Sequence, residues 1–118
     1  MLPKQNRLRL KKDFERIFET GRWGGTDFIS LKYAKNEDGD DPKIGFMVGK
    51  KVSKSAVKRN RVKRQMREVV RLALKKGQIK PNFDVIVVAK PKILGRSHFE
   101  IEQTLKNSLI RARILNKQ

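Results

Sequence analysis

The run Val85-Ile86-Val87-Val88, inside a longer stretch from Phe83 to Lys90, constrains the fold more than any other segment of this chain. Four consecutive β-branched residues favour an extended backbone. A strand apolar at every position, with no alternation, needs cover on both of its faces. Pro91 stops it. The rest of the chain must therefore supply further strands beside this one and helices packed over it.

Those elements are legible on either side. Leu10, Phe14, Ile17 and Phe18 recur at helical spacing, and Gly21 is a plausible stop, so residues 10 to 20 read as a short amphipathic helix. Phe28 to Ala34 alternates, with Ile29, Leu31 and Tyr33 on one face and Phe28, Ser30 and Lys32 on the other. Ile44 to Val52 reads as another strand, with Ile44, Phe46 and Val48 on one side. The link between these two strands is short, which predicts an antiparallel pair. A weaker strand is expected near Gly21 to Gly25. A helix begins at Ser53 or Ser55, both credible N-caps, and runs to about Lys76, where Gly77 ends it. Ser97-His98-Phe99-Glu100 is a capping box that opens a last helix with Ile101, Leu105, Leu109 and Ala112 as its buried stripe. The expected fold is α+β, an αβββαβα sandwich with helices packed on one sheet. At 118 residues it forms a single domain, residues 1–118.

Charge narrows the function. Thirty Lys and Arg against twelve Asp and Glu give a net +18. A body this small repels itself at such a charge unless a polyanion neutralises it, which makes nucleic acid the leading partner and an anionic membrane surface its competitor. The longest apolar run, Val85 to Ala89, is far too short to span a bilayer, and the start of the chain has no apolar signal region. There is no cysteine, hence no disulfide, thiol nucleophile or Cys-based zinc site, a composition suited to a reducing cytosol.

The charge concentrates in one place. Lys50, Lys51, Lys54, Lys58, Arg59, Arg61, Lys63, Arg64 and Arg67 are nine cations in eighteen residues with no acid among them. Solvated helices usually mix signs at i,i+4, because like charges at that spacing cost stability. Val62, Met66, Val69 and Ala73 form an apolar stripe on this helix, and Asn60, Arg64, Arg67 and Arg71 fall on roughly the opposite side, with Lys63 beside them. Arg presents planar forks that match phosphate oxygens, and Asn60 adds a donor and an acceptor for a 2′-OH or a base edge. Gly45 and Gly49-Lys50 miss the spacing of a phosphate loop, so no nucleotide cofactor is expected. No protein active site is visible either. His98 is the sole histidine, and Glu37, Asp38, Asp40 and Asp41 cluster in a turn without calcium-loop spacing.

The stretch Lys50 to Glu68, with Arg59-Asn60-Arg61 followed by Lys63-Arg64 and Arg67, closely resembles the signature of the bacterial ribonuclease P protein subunit. Asn6-Arg7-Leu8, Asp13-Phe14 and Phe18 resemble the first helix of that family, and the strand order fits over essentially the whole chain. The resemblance implies a mixed four-stranded sheet with a left-handed strand–helix–strand crossover. It implies a cytoplasmic protein cofactor, one per RNA, of an enzyme whose RNA subunit removes the 5′ leader of precursor tRNA, with Mg²⁺ bound mainly by that RNA. Asn60, Arg64, Arg67 and the neighbouring cations would face the RNA subunit. Phe14 and Phe18 would line a cleft for the single-stranded leader, with Lys51 nearby and Leu31 or Tyr33 at the aromatic position of the cleft strand. The alternative is a ribosomal or other structural RNA-binding protein, indifferent to a leader. A DNA-binding regulator is disfavoured because no second helix or dimer stripe accompanies the basic one.

Overall fold

The computed structural model describes residues 2–36 and 41–116. After a 3-10 turn at Lys4–Asn6 come α1 (Lys11–Thr20), β1 (Arg22–Gly25), β2 (Ile29–Lys35), β3 (Lys43–Met47), α2 (Ala56–Lys75), β4 (Phe83–Ala89) and α3 (His98–Arg111), with a second 3-10 turn at Pro91–Ile93. The expected αβββαβα order holds, including the weak first strand.

The four strands lie in the order β1-β2-β4-β3. The β-branched strand β4 is central. It pairs antiparallel with β2 from Ile29↔Ala89 to Lys35↔Phe83, and parallel with β3 from Lys43↔Asp84 to Met47↔Val88. The expected antiparallel pairing of β2 with β3 is therefore wrong: β4 lies between them. A short link does not force adjacency, because crossing one intervening strand spans only ~10 Å, within reach of a few extended residues. Most of the acidic turn expected in this link, Glu37, Asp38 and Asp40, lies outside the described residues. A second correction concerns length. β3 ends at Met47, and Lys50 to Val52 form a turn closed by the Val52 N–H donating to the Gly49 carbonyl at 3.0 Å.

The two faces of the sheet are covered differently. Against one, Ile29 and Leu31 of β2, Ile44 of β3 and Val85, Val87 and Ala89 of β4 pack with Val62, Met66, Val69, Val70 and Ala73 of α2 and Ile101, Leu105 and Leu109 of α3. Against the other, only α1 is laid. Its Ile17 is buried with Ile86 and Leu8, and half-buried Phe14, Ala34 and Val88 surround them. Gly45 admits this approach: a Cβ there would meet the Phe14 ring at 2.8 Å.

Local chemistry sets the helix ends. Ser55, not Ser53, is the N-cap of α2, its Oγ accepting from the Lys58 N–H, and Gly77 follows the helix at φ 67°, a conformation costly for a side chain with Cβ. The capping box of α3 forms as expected between Ser97 and Glu100. Helix α1 is tied to the sheet by the Arg16–Asp84 ion pair. Asp84 is 2% exposed, and its carboxylate also accepts from Asn36 Nδ2 and the Lys43 N–H at 3.1 and 3.3 Å. A buried carboxylate is tolerated only with such partners.

Candidate RNA interface

Burial of Val62, Met66, Val69 and Ala73 turns the opposite side of α2 outward, where Asn60 and Arg64 are exposed and Arg67 is half-buried. Among the described residues, Lys58, Arg61, Lys63, Arg64 and Arg67 make no ion pair. This is a ladder of free donors on a rigid helix, suited to phosphates. Two of its cations continue around the sheet edge. Lys63 and Arg67 meet Arg7, Arg9, Phe14 and Phe46 around a hollow of about 280 Å³. It forms because the N-terminal segment runs along the outer edge of β3, bridged at Arg7↔Ile44, with the Leu8 N–H donating to the Ile44 carbonyl. The basic face of α2 thus leads directly to the α1 side of the sheet.

There the surface changes character. Helix α1 packs over β2 and β4 and leaves the flanking strands open. Phe18 and Trp23 are 38% and 57% exposed, and their ring centroids lie 6.0 Å apart. Lys32, opposite Trp23 in the β1–β2 ladder, holds its ammonium 4.8 Å from the Trp23 ring. Met47, also exposed, marks the far side of this strip, and exposed Lys50 and Lys51 follow in the turn beyond it. Exposed rings can stack bases without reading sequence. Lys32 is itself only 7% exposed and steadies the Trp23 ring, which leaves the adjoining phosphate to exposed Lys50 and Lys51.

The ribonuclease P family model matches residues 2–113. The ribonuclease P protein component of Pseudanabaena sp. (strain PCC 6903) is 39% identical over 117 residues, covering 98% of each chain. That of Syntrophomonas wolfei is 38% identical over 100 residues, covering 85% of this chain and 80% of its relative. Among solved structures, the Staphylococcus aureus RNase P protein superposes with a TM-score of 0.85 at 28% identity, covering 96% of this chain and 100% of that one. The Thermotoga maritima RNase P protein gives 0.78 at 31%, covering 89% and 96%. This chain belongs to the ribonuclease P protein family. Its function is that of the family, a protein cofactor in tRNA 5′ processing and a subunit of the ribonuclease P holoenzyme.

As a ribonuclease P protein, the chain brings some of the expected residues together and separates others. Phe14 and Phe18 do sit on the α1 side. Leu31 does not: it is 0% exposed in the core beneath α2 and α3, on the opposite face of the sheet. Tyr33 shares that face, its ring edge-on to Phe83 at 6.4 Å. Alternation explains the error, since Leu31 and Tyr33 follow Ile29 inward while Ser30, Lys32 and Ala34 point toward α1. Two cations of the ladder are committed elsewhere. Arg71 forms a two-pronged pair with Glu68, at 2.6 and 2.9 Å, and this hydrogen bonding holds the Glu68 carboxyl below its ordinary pKa. Arg59 turns back, its Nη1 donating to the Ser53 and Lys54 carbonyls, which braces the turn before α2.

The sequence reading missed Trp23 and Lys32. The signal was present: Lys32 is the only charge inside an otherwise half-apolar strand that ends at Lys35, and Trp23 is the only tryptophan, next to a glycine pair. Among the described residues no group of three or more His, Cys, Asp or Glu comes together that could hold a metal ion, and no helix is long and apolar enough to cross a membrane.

Proposed function

We propose that residues 1–118 act as one RNA-binding domain, one per RNA in the cytoplasm, with two working surfaces. The exposed side of α2, through Asn60, Arg64 and Arg67 with Lys54, Lys58, Arg61 and Lys63 around them, holds the RNA subunit of ribonuclease P. The α1 side, through Phe14, Phe18, Trp23 and Lys32 with Lys50 and Lys51 at its rim, holds the unpaired 5′ leader of precursor tRNA. The observation that carries this reading is the juxtaposition at the β3 edge. Lys63 and Arg67 of the basic helix share one hollow with Phe14 of α1, so one RNA surface passes into the other.

The division of labour follows from the residues. Guanidinium forks fix phosphates of a folded RNA in place. Rings stack any base, at about 1–3 kcal/mol per base, as a cofactor for many different leaders requires. Hydrolysis belongs to the RNA subunit. Mg²⁺ is its cofactor, and the described residues of this chain offer no cluster to hold it. The protein's share is to bring leader and RNA subunit together and to lower the repulsion between them.

The test is cleavage of a precursor tRNA by the RNA subunit across a Mg²⁺ titration, with and without the protein, using precursors with full and truncated leaders. The protein should lower the Mg²⁺ required, and more so for the full leader. Cleavage by the protein alone, or equal help to both precursors, contradicts the assignment. Neutralising ~6–10 phosphates also predicts a ~10³–10⁵-fold loss of affinity between 50 and 200 mM salt.

A further inference from the structure

A second basic, ring-lined hollow lies at the β1 edge of the sheet, next to the Phe18–Trp23 strip and across the sheet from the basic face of α2. We propose that it is a further RNA site, which takes an unpaired nucleotide with its phosphate. It encloses about 660 Å³ and is lined by Arg22, Lys35, Arg111 and Arg113 around Tyr33 and Phe83, with Thr20, Ala34 and Ala112 completing it.

Three observations carry the proposal. First, four cations line the hollow with no acid, and among the described residues none of them makes an ion pair. Like charges gathered this way repel one another until an anion enters. Secondly, the floor is aromatic. Tyr33 and Phe83 are half-buried and meet edge to face at 68°, which leaves ring surface facing the hollow. The size, within the ~300–1,000 Å³ range of ligand sites, suits a nucleotide. Thirdly, the place is fixed by topology. Arg22 and Lys35 come from β1 and β2, whereas α2 packs beneath β3 at the opposite edge. One RNA contact cannot serve both.

The plainer reading is that Arg111 and Arg113 only complement the negative end of the α3 dipole. It accounts for those two and not for Arg22 and Lys35, which approach from strands. Arg113 at φ 62° is the left-handed residue of an ordinary helix C-cap, its N–H donating to the Ile110 carbonyl and the Ile114 N–H to the Leu109 carbonyl. Its backbone therefore belongs to the helix end, and only its place in the hollow bears on the site.

The experiment is photocrosslinking of the full chain to a short oligouridylate carrying 4-thiouridine, with peptides mapped by mass spectrometry. Crosslinks are expected at two places, around Phe18 and Trp23 and around Tyr33 and Phe83. The double variant Arg111→Gln/Arg113→Asn should lose the second set, keep the first, and flatten the log–log salt slope of binding by roughly 0.7, for the one phosphate the site neutralises on a single strand. Asn tolerates the left-handed backbone at position 113, and Arg22→Gln gives an independent variant should the double one melt early. Crosslinks confined to Phe18 and Trp23, or unchanged in both variants, overturn the site. Crosslinks only at Tyr33 and Phe83 support it and sink the leader cleft instead. In the holoenzyme, a loss seen only with long-leader precursors assigns the nucleotide to the substrate, and weaker binding of the RNA subunit assigns it there. Neither loss overturns the proposal.

Discussion

The two faces of the sheet are made by the same strands and have opposite fates. Beneath α2 and α3, Leu31, Val85 and Val87 are wholly buried. Beneath α1, burial is complete only around Ile17 and Ile86, and Phe18, Trp23 and Met47 stand open. The difference is one of cover. Two helices of 20 and 14 residues seal the first face, whereas the second has one of 10 residues, ~15 Å long, lying over the two central strands. The sealed face supplies stability, and the open one exposes apolar rings that a protein without a ligand for them would bury. The proposed leader site is thus the part of the sheet that its one short helix leaves uncovered.

The largest expected effect breaks the comparison at its basic flank. Arg64→Ala/Arg67→Ala should weaken binding of the RNA subunit by about a hundredfold or more, since each lost charge-assisted contact is worth about 1.5–3 kcal/mol. The melting temperature should hardly move, as neither residue is in the core. A melting temperature that falls in step with affinity would make the ladder structural. Next comes a direct contrast between the faces. Leu31→Ala should cost about 2–5 kcal/mol of stability and leave leader affinity of the folded protein intact. Phe18→Ala and Trp23→Ala should do the reverse, each losing about 1–3 kcal/mol of leader binding per stacked base, read as the ratio of affinities for precursors with and without a leader. If Leu31→Ala weakened leader binding while Trp23→Ala did not, the faces would have been assigned the wrong way round. Of the same size as one stacked base, but read in stability, is Asp84→Ala. It leaves Arg16 without its partner, and because the Arg16 side chain is 37% exposed, solvent reduces the loss to roughly 1–3 kcal/mol. Faster amide exchange in α1 and at the Lys43 N–H, which also loses its acceptor, with leader affinity reduced and RNA-subunit affinity kept, is the expected signature.

How far these faces were legible in the sequence differs element by element. Helices were clear because their stripes repeat, and the start of α3 because a capping box is a local signal. The basic face of α2 was clear for the same reason, since one helix carries both its anchor and its ladder. Pairing was not local. Nothing within residues 28–52 says that β4 will insert between β2 and β3, because that depends on a strand far along the chain with two edges to satisfy. The leader cleft failed at the same point. Its aromatic position was sought at Leu31 and Tyr33 by likeness to a family pattern, when the parity set by buried Ile29 already sends Lys32 to the α1 side. Trp23 could be placed only once β1 was paired to β2, which brings it across from Lys32. Arg71 illustrates a third limit: helical geometry put it on the ladder, and a neighbour three residues back engaged it.

That neighbour gives the finest test. Glu68 is the first acid after the basic run, and its two-pronged bond to Arg71 both lowers its own pKa and holds the guanidinium along the helix. Because the folded pKa is depressed, the pair is intact at neutral pH and lost as pH falls through that lowered value, the reverse of a histidine switch. Both groups are open to solvent, so the pair adds little stability. Its consequence lies in where the ladder ends. Glu68→Gln removes a charge that repels phosphate and releases Arg71, extending the free donors one turn beyond Arg67. Binding of the RNA subunit should tighten modestly, and its log–log salt slope should steepen by roughly 0.7–0.9, the mark of one more phosphate contact. Leader discrimination should stay as it was, since Glu68 lies on α2 and the rings lie across the sheet. An unchanged slope would mean that the RNA surface stops at Arg67, with Arg71 serving the helix alone.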